Sequence, residues 1–297
     1  MSAAIARTKA SSIGSSTRSD SELANSIPEL TRVTIEVAPG VADLAATALL
    51  EQLSAGSRVN PESEGRVTLD VWFPTGDSPG AADVREALEA WRVPATVTSE
   101  REGPDWYTAA REFHRPIEIA RALRVRPPWE PASTDLIDVV IDPGMAFGSG
   151  QHATTRGCLE ALCELPRGGL VDVGCGSGIL AIAAAKLGYE PVRAIDNDPH
   201  SVAATRENAA ANAVSLDVLQ GNAEESVQGA EVMVANLTAV TLLELAGAPP
   251  DPLPRNAVVS GIRDFELDAV HSAWARHGLI PTQVDERDGW CTSVLAR

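Results

Sequence analysis

The stretch LVDVGCGSGILAIAAAKLG, residues 170–188, decides the fold of this chain. Its first residues predict a short buried strand, and Gly174, Gly176 and Gly178 follow directly as a loop. A leucine- and alanine-rich segment then predicts a helix. This order is typical of α/β folds in which the loop lets the backbone approach a ligand and the helix N-terminus offers free N–H groups.

The spacing of these glycines selects the class of ligand. The dinucleotide fingerprint G-x-G-x-x-G needs a glycine at position 179, where the chain has Ile179. A carboxylate beside the loop, Asp172, does not favour a pyrophosphate but does favour a cation. S-adenosylmethionine carries a sulfonium and an ammonium group, so the sequence predicts a pocket for this compound rather than for NAD. We assign the pocket to Asp172, Gly174, Gly176 and Gly178.

Polar residues at the ends of two later strands extend this pocket. Asp196 closes the strand VRAID, and its carboxylate is expected to accept the ribose hydroxyls, as the acidic residue does in nucleotide-binding α/β folds. Asp198 is assigned instead as the cap of the helix that begins at Pro199. Asn222 follows the next strand, where an adenine ring would lie; the alternative is an ordinary turn residue.

Two further positions flank the same edge of the predicted sheet. Asn236 ends the strand EVMVAN and is expected to orient a substrate amine or the cofactor, the alternative being a helix N-cap. Thr155 precedes an apolar helix and is expected to bond the methionine end of the cofactor. His152 invites a general-base interpretation, but a single histidine without a visible partner is more often structural. No catalytic base and no metal site are assigned.

The remaining elements predict two domains joined by a connector. Residues 1–28 are expected to form a disordered tail, and residues 29–102 a small α+β domain of ferredoxin-like type. Residues 103–134 form the connector, in which Pro127-Pro128 disfavours a regular helix. Residues 135–297 alternate short apolar strands with helices and predict a Rossmann-like, mostly parallel seven-stranded sheet. The strands are expected at 136–141, 169–173, 192–196, 215–219, 231–236 and 256–261, followed by a hairpin from Pro281 to Leu295.

The bulk composition restricts the partners. The chain has 24 basic and 41 acidic residues, a net charge of −17, which argues against direct nucleic-acid binding and suits a basic protein. No apolar run is long enough for a bilayer, and the N-terminus lacks the apolar core of a secretory signal. Four cysteines without metal spacing predict free thiols in a reducing cytoplasm. A cytoplasmic monomer without membrane contact is expected.

Four motifs together resemble the ribosomal protein methyltransferase family PrmA, whose members modify protein eleven of the bacterial large ribosomal subunit. They are DPGMAFGSGQHATT (142–155), VDVGCGSGILAIAAAKLG (171–188), IDNDP (195–199) and VANLTA (234–239). The resemblance implies a class I S-adenosylmethionine-dependent methyltransferase fold. It implies that Thr155, Gly174, Asp196 and Asn236 contact the cofactor and that the N-terminal domain grips the ribosomal protein. Gln151 and Ala153 stand where the family usually has Thr and Pro.

The resulting hypothesis is N-methylation of a protein's α-amine and lysine side chains. Methyl transfer from a sulfonium is an in-line displacement, so positioning does most of the work, and the acceptor amine must be neutral. The chain lacks the N-P-P-[YF] pattern associated with planar nitrogens, which fits an aliphatic amine. The first alternative is a methyltransferase for another protein or a natural product. The second, from another class, is a non-catalytic module that binds S-adenosylmethionine and recognises a partner.

Overall fold

The computed structural model describes residues 30–53, 57–60, 62–63, 65–74, 79–102, 115–142, 150, 152–222 and 230–297. The predicted tail, residues 1–28, and residues 143–149 of the segment before Thr155 lie outside these ranges. No helix within the described ranges combines the length and apolar character needed to cross a membrane.

The N-terminal unit is a four-stranded antiparallel sheet packed against two helices. Its elements in chain order are β1 (Leu30–Val37), α1 (Ala42–Leu53), β2 (Arg58–Val59), β3 (Val67–Pro74), α2 (Ala81–Ala90) and β4 (Thr96–Glu102). The strand order is β2-β3-β1-β4. Alternate residues such as Val33 and Leu69 are buried with Leu49 and Leu88 of the helices. The β-α-β-β-α-β sequence of elements supports the ferredoxin-like assignment, which stays a prediction.

A second, three-stranded sheet lies within residues 117–140. Its strands are β5 (Ile117–Ile119), β6 (Leu123–Arg126) and β7 (Ile137–Val140), and β6 pairs antiparallel with β5 and parallel with β7. The prediction that residues 136–141 join the main parallel sheet is therefore wrong. Asp138 of β7 instead accepts a hydrogen bond from Arg126 Nε at 2.8 Å, a pairing that the apolar pattern of one strand does not encode.

This small sheet occupies part of the segment predicted as a connector. Ile119, Leu123, Val125 and Val139 are buried in the same apolar cluster as the core of the C-terminal sheet. The bounds 103–134 and 135–297 stay predictions, with the packing of β5 and β6 favouring an earlier start for the C-terminal domain.

The C-terminal domain is built on a seven-stranded sheet of order β10-β9-β8-β11-β12-β14-β13. Its elements are α3 (Ala153–Glu164), β8 (Leu170–Val173), α4 (Ile179–Leu187), β9 (Val192–Asp196), α5 (Pro199–Ala211), β10 (Asp217–Gln220), β11 (Val232–Asn236), α6 (Ala239–Gly247), β12 (Asn256–Arg263), α7 (Leu267–Ala275), β13 (Ile280–Arg287) and β14 (Trp290–Ala296). All pairings are parallel except those of β14, which confirms the predicted mostly parallel seven-stranded sheet and its terminal hairpin.

Apolar clusters cover both faces of this sheet. One contains Leu159 of α3 and Ile182 of α4, and the other contains Leu242 of α6 and Trp274 of α7. Because β8 and β11 are neighbours from which the strand order runs in opposite directions, their carboxyl ends form a crevice of the kind that binds ligands in α/β folds. The fold thus brings the ends of β8, β9, β10 and β11 to one edge.

The four cysteines are free, as predicted. Cys158, Cys175 and Cys291 are buried and Cys163 is half-buried. Burial raises the pKa of the Cys158 and Cys175 thiols, which keeps both protonated and unreactive.

The turn between β5 and β6 places two non-glycine residues in the left-handed region. Ala120 and Arg121 have φ of 50° and 54°, and the Ala122 N–H donates to the Ile119 carbonyl at 3.0 Å, which is a type I′ turn. We expect Arg121→Gly to raise the free energy of unfolding by about 0.5–1 kcal/mol, because glycine adopts this backbone without strain. Urea unfolding measures the change. Arg121→Ala is the control, and an equal gain there would assign the effect to the side chain instead.

Candidate functional site

The glycine loop turns sharply between β8 and α4. Gly174 and Gly178 have φ of 71° and 79°, a region that residues with a Cβ seldom adopt. A Cβ on Gly174 would lie 2.4 Å from Leu237 Cδ2, and one on Gly178 would lie 2.8 Å from Thr205 Cγ2. The backbone at Gly174 and Gly178 is therefore packed directly against its neighbours, with no room for a side chain at either position.

Asp172 lies in β8 directly beneath this loop and is fully buried. Its Oδ2 accepts a hydrogen bond from the Ala181 N–H at 3.1 Å, while its Oδ1 is buried without a partner among the described residues. Burial raises the pKa of this carboxyl from 3.8 to about 7, and the nearby Asp196 adds to the rise. A buried carboxylate with one unsatisfied oxygen is strongly stabilised by a cation.

Asp196 ends β9 and contacts the same loop. Its Oδ2 accepts from the Gly176 N–H at 2.9 Å and its Oδ1 accepts from the Asp198 N–H at 3.0 Å. Burial raises its pKa, while these backbone hydrogen bonds lower it. The carboxylate is half-buried, and each oxygen keeps a further lone pair for a ligand hydroxyl. The ribose role therefore stays a prediction, and a second role, holding the loop, is added to it.

The sequence offered Asp198 and Asn236 as helix caps, and only one of them is a cap in the structure. Asp198 caps α5 through a hydrogen bond from the His200 N–H at 3.0 Å, as predicted. Asn236 is not a cap, because Thr238 occupies that position for α6. Asn236 Nδ2 instead donates to Thr155 Oγ1 at 3.4 Å. The structure thus joins these two predicted site residues, which lie 81 positions apart in the chain.

The remaining predicted position, Asn222, is exposed and lies two residues after the end of β10. The preceding Gly221 N–H donates to the Asp196 carbonyl at 3.0 Å, so this turn lies beside the end of β9. The adenine role stays a prediction consistent with that location.

His152 acts as the N-cap of α3. Its Nδ1 accepts from the Thr154 N–H at 3.4 Å and lies 2.8 Å from Thr154 Oγ1, and its ring meets that of Trp290 edge-on at 5.0 Å. Desolvation and the positive charge of Arg263 lower the pKa of the imidazole. These contacts support the structural interpretation of this histidine.

Three residues that the sequence did not single out also hold the site. Thr205 and Asn208 of α5 and Asn212, the C-cap of this helix, are buried and hydrogen-bond to the glycine loop and to β7. These three residues are spaced by three and four positions, so they share one side of a helix. A polar stripe in place of the usual apolar one is the sequence pattern that could have identified them.

The backbone of Leu237, the residue after Asn236, lies in close contact with Gly261. Gly261 has φ of 86°, and a Cβ there would lie 2.3 Å from the Leu237 carbonyl oxygen. We expect Gly261→Ala to lower the free energy of unfolding by about 2–4 kcal/mol, because backbone cannot move aside cheaply. Gly278→Ala is the matched control, since Gly278 has φ of 81° but open space around it. Equal losses in thermal unfolding would contradict the importance of the Leu237 contact.

The pKa of Asp172 predicts a pH dependence of stability. A carboxyl whose pKa rises on folding contributes stability below the pKa of the unfolded chain, and that contribution is lost as pH rises through the folded value. Between 3.8 and about 7 the free energy of unfolding should therefore fall by up to about 1.4 kcal/mol per pH unit. Asp172→Asn should lack this slope in urea titrations, whereas exposed Asp217→Asn should keep it. Parallel curves for all three proteins would refute the assignment.

Comparison with known proteins identifies the family of this chain. The family model described as Ribosomal protein L11 methyltransferase (PrmA) matches residues 47–297. A Ribosomal protein L11 methyltransferase from Geobacter metallireducens is 46% identical over 161 residues, 53% of this chain and 54% of the relative, so the match spans about half of that relative's length. Another, from Geobacter sulfurreducens, is 34% identical over 287 residues, 88% of this chain and 96% of the relative.

A solved structure adds the fold. The crystal structure of ribosomal protein L11 methylase from Lactobacillus delbrueckii subsp. bulgaricus superposes with a TM-score of 0.54 at 30% identity. It covers 62% of this chain and 99% of the solved chain. The chain therefore belongs to the ribosomal protein L11 methyltransferase family.

Proposed function

We propose that this protein is an S-adenosylmethionine-dependent N-methyltransferase that modifies α-amino and lysine ε-amino groups of ribosomal protein L11. The observation that carries the proposal is Asp172 beneath the glycine loop, a fully buried carboxylate with one oxygen that has no hydrogen-bond partner among the described residues. A cationic donor is the class of ligand that this arrangement stabilises. Membership of a family whose relatives are named for L11 methylation supports the acceptor.

The residues around the crevice fit the proposed donor. The glycine loop gives close backbone approach, Asp172 supplies negative charge, and Asp196 offers free lone pairs for ribose hydroxyls. S-adenosylmethionine supplies an electrophilic methyl group on a positively charged sulfur. We assign its binding to Thr155, Asp172, Gly174, Gly176, Gly178, Asp196, Asn222 and Asn236.

Asn236 is proposed to orient the acceptor amine. Its Nδ2 is engaged with Thr155 Oγ1, so its amide oxygen remains to accept a hydrogen bond from an incoming N–H. An α-amine, with a pKa near 8, reaches the neutral form at modest cost, and a lysine reaches it when the crevice removes its water. We assign no general base, because positioning and desolvation suffice for a neutral amine.

The charge of the chain suits the proposed partner. A net charge of −17 favours association with a basic ribosomal protein. We further propose that the protein works as a cytoplasmic monomer, without direct contact to nucleic acid or membrane.

Methyl transfer tests the function directly. The purified protein is incubated with methyl-labelled S-adenosylmethionine and ribosomal proteins from a strain that lacks the activity, and label is expected in L11. Normal donor binding without label in L11 would refute the acceptor. Label in another protein or a natural product would identify a different methyltransferase, and donor binding without transfer to any acceptor would identify a non-catalytic module.

Asp196 should determine donor affinity. Asp196→Ala is expected to weaken S-adenosylmethionine binding by at least about tenfold in calorimetry, because a charged acceptor for ribose is lost. Asp217→Ala is the control. Asp217 begins β10, at the sheet edge opposite to Asp196, and its carboxylate accepts a hydrogen bond from Arg193 Nε at 2.9 Å.

A 2′-deoxy analogue of the donor distinguishes a ribose contact of Asp196 from its hydrogen bond to the glycine loop. The native protein should prefer the ribose compound, and Asp196→Ala should lose that preference. An unchanged preference would leave Asp196 as a loop support without a ribose contact.

A further inference from the structure

Helix α5 turns a polar face toward the interior of the domain. Thr205 is 0% exposed, and Asn208 and Asn212 are each 7% exposed. Buried asparagines need partners, because an unsatisfied amide in the interior is costly. The partners here are backbone atoms of the glycine loop, of α5 itself and of the end of β7 with the residues after it, which no apolar side chain could satisfy.

The first of these residues fixes the middle of the glycine loop. Thr205 Oγ1 donates to the Gly176 carbonyl at 2.9 Å, and its side chain fills the space beside Gly178. This contact holds the loop against α5.

Asn208 reaches two segments with one carboxamide. Its Nδ2 donates to the Ser177 carbonyl of the glycine loop at 2.9 Å, and its Oδ1 accepts from the Asp142 N–H, just beyond β7, at 3.3 Å. One side chain therefore links the glycine loop to the residues that follow β7.

Asn212 makes a different connection. It bonds β7 alone among these segments, since its Oδ1 accepts from the Val140 N–H at 2.8 Å and its Nδ2 donates to the Val140 carbonyl at 2.5 Å. It also donates to the Asn208 carbonyl at 2.8 Å. This residue therefore ties the end of α5 to the small sheet. Among the described residues its side chain hydrogen-bonds Val140 and Asn208 and not the glycine loop, which makes it a matched control for Asn208.

We propose that Asn208 is a positioning residue that fixes the glycine loop relative to β7 and thereby sets the affinity for the methyl donor. The identity of the donor rests on the proposed function, whereas the effect of Asn208 on the position of the loop does not. The carboxamide acts through the loop and needs no contact with the ligand. Both of its hydrogen bonds are required, one donated and one accepted.

Asn208→Asp distinguishes this role from bulk stability. A protonated aspartic acid keeps both hydrogen bonds, because its O–H can donate to Ser177 and its C=O can accept from Asp142. The carboxylate loses the donor and faces the Ser177 carbonyl. We expect donor affinity of the variant, relative to the native protein, to fall by about tenfold between about pH 5.5 and pH 8 in calorimetry. Taking the ratio removes the pH dependence of donor binding that the native protein already shows, including that of Asp172 and Asp196, which are present in both proteins.

Hydrogen exchange of the ligand-free protein provides the readout that does not depend on the donor. At the higher pH, loop amides within residues 174–178 should exchange faster in Asn208→Asp, whereas Asn212→Asp should lose thermal stability with little change in these amides. A constant affinity ratio together with native loop exchange would overturn the proposal. Faster loop exchange in a protein whose native form binds no donor would retain the positioning role and reject the proposed cofactor.

Discussion

The structure depends on one constraint, which is that the backbone of the glycine loop belongs to no strand or helix and must find other hydrogen-bond partners. The Gly174 and Cys175 N–H groups share the Ile195 carbonyl, at 2.8 and 3.0 Å. Asp196 accepts from Gly176, while Thr205 and Asn208 donate to the carbonyls of Gly176 and Ser177. Buried backbone groups are costly when unpaired, so the loop needs these hydrogen bonds from β9 and α5 even when no ligand is bound.

The electrostatics of the crevice follow from that commitment. Burial raises the pKa of both Asp172 and Asp196, and the charge of Asp196 raises the pKa of Asp172 further. An arrangement that costs stability on its own is typical of a site whose ligand supplies the opposite charge. The negative crevice and the negative net charge act at different ranges, the first on the donor and the second on a basic protein.

Short sequence patterns predicted most of the C-terminal sheet and of the candidate site. The strand, the glycine spacing and the cap at Asp198 each depend on a few consecutive residues, and Thr155 and Asn236 were recognised through motifs. Long-range pairing was the part that failed. β7 has the apolar pattern of a central strand, yet its sheet is decided by β6. The polar face of α5 was missed because its partners are backbone atoms far away in the chain.

The contacts of α5 also determine when the site can form. Val140 and Asn212 are separated by 72 positions, and Asp142 and Asn208 by 66. During synthesis, the strand and the glycines leave the ribosome before the helix that donates to their carbonyls. The crevice is therefore a late product of folding with high contact order, whereas the N-terminal sheet can close earlier from its own residues.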